Sequence, residues 1–166
     1  MIPGLSAATF TLVHVILRLV AIGSGVVVVF GLLTARRLPF CTALFLAATV
    51  LTSLTGFLFP FHGMTLSIEM GIPALAVLLL AAIGRYSRKL AGAWRHTYVV
   101  SVMIALYCNV VVLVAQIFAR FLAPTTRAPQ RPGLLLELAQ LAVFAAFAAA
   151  THLALKRFRS TAARRV

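Results

Sequence analysis

The stretch TFTLVHVILRLVAIGSGVVVVFGLLTA, Thr9 to Ala35, carries one arginine and one histidine in an otherwise apolar, hydroxyl-bearing or small run. A helix needs about 20 mainly apolar residues to cross bilayer hydrocarbon, so this run is read as a transmembrane helix. Four more follow outward from it, at Phe40 to Phe59, Leu66 to Gly84, Tyr98 to Leu122 and Leu134 to Leu155. Pro39, Pro60, Pro124 and Pro132-Gly133 punctuate the gaps, where residues that end helices belong. The sequence therefore predicts an all-α integral membrane bundle of five transmembrane helices, a single domain over residues 1–166 with a basic tail from 156 to 166.

Composition agrees, because 63% hydrophobic and 10% charged residues lie far from the mixture a soluble domain uses. The net charge of +13 raises nucleic-acid binding, whose footprint is a basic patch or stripe. Here the cations instead fall in short clusters between apolar runs: Arg36-Arg37, then Arg85, Arg88, Lys89 and Arg95, then Lys156, Arg157, Arg159, Arg164 and Arg165. Cytoplasmic loops look like this, and the partner expected is the lipid bilayer, with no nucleic acid.

Five spans put the termini on opposite sides. With the N-terminus outside and the C-terminus cytoplasmic, eleven basic residues collect inside, and only Arg120, Arg127 and Arg131 lie near the outer surface. That asymmetry orients the bundle. Met1 to Ala8 has no basic leader and no cleavage pattern, so the first span is expected to be a retained anchor.

Cys41 and Cys108 have no metal-type or redox-type spacing. They read as small buried side chains on different helices, too far apart for a disulfide. No phosphate loop, paired-cysteine zinc motif or nucleophile elbow is present, so soluble-type enzyme chemistry has no anchor and a non-enzymatic role is expected.

The informative residues are polar groups inside the apolar runs, since a charge at the centre of a span costs about 2.5 to 3.5 kcal/mol even on insertion scales. Arg18 has His14 one turn away on the same face. The only acids, Glu69 and Glu137, each fall about one turn inside the outer end of a span. Gln140 follows Glu137 on its own face, Gln116 lies at similar depth, and His62 sits in the outer turn Phe61-His62-Gly63-Met64. All seven belong to the outer half. One arginine facing two carboxylates leaves a surplus negative charge that His14 or a carboxyl proton would balance, so a protonatable or ligand site facing the outer solvent is expected. The plainer alternative is a structural tie between Arg18 and one glutamate.

Thr42, Thr49, Ser53 and Gly56 share a face of the second span and read as packing positions. Asn109 and Gln116 are seven residues apart and are expected to face the same way. Pro73 predicts a kink near Glu69, although an odd number of spans does not divide into the two halves of a standard transporter. The four histidines raise a competing reading, haem b ligated between helices by His14 with His62 and by His96 with His152. No span carries two histidines, so no cofactor is predicted by motif.

TSLTGFLFPFHGMT, Thr52 to Thr65, with RYSRKLAGAWRHTYVVSVMIALYCNVVVLVAQ, Arg85 to Gln116, resembles a family of small bacterial multi-pass membrane proteins to which no activity is attached. The resemblance spans most of the chain from the second span onward and implies a bacterial inner (plasma) membrane location. The functional expectation is small-ligand or proton-coupled translocation, or a role as subunit or accessory factor beside other membrane-protein subunits. Electron transfer with haem or quinone is the competing class.

A reporter fused after Val166 is expected to be active only in its cytoplasmic form, and one inserted between Thr125 and Gln130 only in its external form. The reverse pattern would invert the orientation.

Overall fold

The computed structural model describes residues 7–58, 66–122 and 132–163. Five helices run through them: α1 (Ala7–Leu33), α2 (Pro39–Phe57), α3 (Leu66–Ala82), α4 (Trp94–Ile117) and α5 (Pro132–Ala163). Each supplies most of a helical stretch long and apolar enough to cross a membrane, and the described residues include no strand. Pro39 opens α2 in its first turn, where a missing N–H leaves no helix bond unmade. Pro73 lies inside α3 and has no N–H to offer the Glu69 carbonyl.

The helices depart from the apolar runs in an informative way. α4 starts at Trp94 rather than Tyr98, and α5 continues past Leu155 to Ala163. Hydropathy marks where a helix would be lipid-embedded, whereas Lys and Arg are good helix formers that carry one onward. α3 and α4 each pass into a π-helical turn, at Ile83–Ser87 and Phe118–Leu122. Such wider turns leave no mark in hydropathy.

Packing runs α1 on α2, α2 on α3 and α3 on α4, and a further α1–α4 contact closes a ring of four helices. α5 lies outside that ring, against α4 and α1. Burial follows the same division: 61% of the apolar window of α4 is buried and none of that of α5. The core between them is made by Phe45, Tyr98, Val99, Val102, Met103 and Leu106. Around the girth stand exposed Leu12, Phe30, Leu79, Leu141 and Phe144, an apolar surface of the kind a soluble monomer does not present.

Two local devices set how α1 meets its neighbours. Its C-terminus closes with Arg36 N–H bonded to the Gly31 carbonyl at 2.7 Å and Ala35 N–H to that of Leu32 at 3.3 Å, the paired bonds of a Schellman motif. Ala35 takes the left-handed position, with φ 57°, which reverses the chain toward α2. Mid-helix, a Cβ at Gly25 would lie 2.7 Å from Leu106 Cδ1 and 2.9 Å from the Phe45 ring. Both neighbours are almost fully buried and have no room to swing away, so glycine is what lets α1, α2 and α4 meet there.

Gly25→Ala is expected to destabilise the fold by about 1 to 3 kcal/mol through overpacking. Unfolding in detergent would show it, and a variant as stable as the parent would mean that the three-helix contact is loose.

Candidate functional site

α1 and α2 form an antiparallel hairpin whose link is centred near Arg36, so the Arg18 level of α1 lies across from about position 54 of α2. That register brings His14 and Arg18 to Thr52, Ser53 and Thr55. Arg18 lies about 16 Å along α1 from Ala7 at 1.5 Å per residue, and it and His14 are each only 6% exposed.

The hydrogen bonds form a relay. Arg18 Nη2 donates to His14 Nε2 at 3.2 Å, and His14 Nδ1 lies 2.8 Å from Thr55 Oγ1. The Thr55 hydroxyl donates to the Leu51 carbonyl at 2.7 Å, so its oxygen is the acceptor for Nδ1–H. One accepting and one donating ring nitrogen is the pattern of an imidazole carrying a single proton, here on Nδ1. Arg18 Nε and Nη1 are buried and have no hydrogen-bond partner. Arg18, Thr52, Ser53, Gly71 and Asn109 also help to wall a small recess, whose roughly 310 Å³ of unfilled space includes open surroundings.

The two carboxylates are not in this arrangement, contrary to the expectation of an arginine facing two acids. Glu69 stands in the first turn of α3 and Glu137 near the start of α5, both exposed, and the nitrogens of Arg18 are either on His14 or unpartnered. Neighbouring Met70 and Gly71 do reach the recess, so Glu69 is on the right helix but on the wrong side of it. Polar spacing along one helix gives depth, whereas which side faces a neighbour depends on packing.

Gln140 is half-buried and ties α5 to α4, donating from Nε2 to the Val111 carbonyl at 3.0 Å. Gln116 is exposed near the end of α4, while Asn109 is buried at the recess with Nδ2 on the Ala105 carbonyl at 3.1 Å. The seven-residue spacing therefore does not give them one environment, because the neighbours of α4 cover Asn109 and leave Gln116 bare. His62 lies outside the described residues. His96 is half-buried in the first turn of α4, and His152 is exposed on α5. Among the described residues no three His, Cys, Asp or Glu side chains gather as a metal site.

Thr55 and Thr52 are the site residues that sequence reasoning passed over. The hydroxyl repeat at 52, 53 and 55, set against the hairpin register, is the signal that points to them. The chain matches no family model, no curated protein and no solved structure.

Glu69→Gln and Glu137→Gln are each expected to change stability by no more than about 0.5 kcal/mol, as exposed carboxylates outside a network do. Thr55→Val, which strips the acceptor from a buried N–H, is expected to cost about 1 to 3 kcal/mol. Unfolding curves of the three variants in one detergent check this, and a large loss in either glutamate variant would return that acid to the site.

Proposed function

We propose that this chain is a multi-pass protein of the bacterial inner membrane, N-terminus outside and C-terminus cytoplasmic. In this reading it takes a small polar ligand into the recess beside Arg18 and serves translocation of that ligand. The observation that carries the reading is Arg18 itself, buried among apolar helices with Nε and Nη1 unpartnered. A guanidinium is always charged, and an ionisable group at such a depth in a span is costly unless it works on something. His14, hydrogen-bonded to the same guanidinium, is the group a proton-coupled cycle would use. The cation clusters on the proposed cytoplasmic side and the apolar girth support the orientation and the membrane setting.

A second reading, service as a subunit or accessory factor of a larger membrane complex, is favoured by α5. That helix lies outside the four-helix ring with none of its apolar window buried, a face that another membrane subunit would cover.

The open recess is tested by Ser53→Cys in a chain whose Cys41 and Cys108 are replaced by serine, with Thr49→Cys as control. Ser53 lines the recess and is half-buried, whereas Thr49 is fully buried. In sealed membrane vesicles aqueous iodoacetamide is expected to alkylate the first position and spare the second. If Ser53→Cys proved as inert as the control, the ligand-site reading would fail.

A further inference from the structure

We infer that the ligand of this recess is a small monovalent anion, drawn there by the charge of Arg18, which lines it; the inference rests on the open-recess reading above. The chain has fifteen basic residues and two acids, and both acids are exposed and absent from the hydrogen bonds of Arg18. No carboxylate of this protein therefore neutralises the buried guanidinium. His14 offers it only a neutral acceptor, which orients the guanidinium plane without compensating its charge. The counter-charge has to come from outside the chain.

The walls narrow the choice. Ser53 contributes a hydroxyl, and Asn109 keeps a second amide N–H beyond the one spent on Ala105. The Thr52 hydroxyl is already committed to the Ala48 carbonyl at 2.8 Å. Free donors with no facing carboxylate select for negative charge, as Arg N–H groups do elsewhere. The enclosed space accommodates about one or two waters. A halide or a planar anion of three or four heavy atoms such as nitrate or bicarbonate fits this space, and a phospholipid headgroup does not. His14 is a positioning residue in this scheme.

The test uses the full chain in mild detergent, with its unfolding midpoint followed at one ionic strength in sodium gluconate, chloride, nitrate or bicarbonate. At least one small anion is expected to raise the midpoint over gluconate, with the logarithm of its concentration above Kd and by about 5 °C at roughly twenty times its Kd, and Arg18→Gln is expected to abolish the rise. Should Arg18→Gln fail to fold, the Ser53→Cys chain keeps Arg18 in place and gives a second readout. The stabilising anion is expected to slow its alkylation about fivefold at four times its Kd, while gluconate leaves the rate unchanged. A flat midpoint with Ser53→Cys alkylation indifferent to every anion overturns the anion while leaving an open recess standing. A flat midpoint with no alkylation removes both readings. An equal rise in Arg18→Gln marks a general salt effect and overturns the inference. So does a rise that appears only when phosphatidylglycerol is added in gluconate, which would assign the counter-charge to a lipid.

Discussion

A guanidinium keeps its charge wherever a helix carries it, and one end of this bundle is arranged around that constraint. Arg18 cannot be neutralised by giving up a proton, and it lies too far along α1 for its side chain to escape from among the packed helices. Polar groups are therefore gathered near it among apolar ones: the imidazole of His14, the hydroxyls of α2 and the amide of Asn109. Further along the bundle the interior is mainly apolar, a packed core of Phe45, Tyr98, Met103 and Leu106. The contrast follows from energetics, since a buried polar group without partners is costly while an apolar one gains by burial. One charged residue on α1 thus dictates the chemistry of neighbouring α2 and α4.

The route from α1 to those partners is set by backbone geometry. The left-handed Ala35 and the bond from Arg36 to Gly31 reverse the chain tightly, which fixes the register of α1 against α2. At Gly25 the absence of a side chain lets α1 settle between Phe45 and Leu106. Shifting α2 by one residue along the hairpin would rotate each of its side chains by about 100° and carry Thr55 away from His14. The relay therefore rests on a turn that lies at the far end of the helices from it.

Much of this was legible in the sequence, and the limits are physical. Five helices follow from five apolar runs separated by prolines, because length and polarity are one-dimensional properties. The depth of His14 and Arg18 and their shared face follow from helical spacing, and their bond bears that spacing out. The placing of the acids needed a rotation angle that no single helix encodes: Glu69 adjoins a residue of the recess wall yet is itself exposed. Thr55 was within reach of hairpin register, and the π-helical turns were not, since their extra residue changes neither hydropathy nor composition.

Among the described residues, two side-chain bonds of the same kind help to fasten α5 to the ring. Gln140 reaches the carbonyl of Val111, and Arg157 that of Leu33 at 3.3 Å. In both, the acceptor is main chain. Any amino acid at position 33 or 111 that preserves the helix would present the same oxygen, so these attachments demand particular residues from α5 and none from the helices it leans on. At Leu33 and Val111 the side chain answers to packing against the core instead.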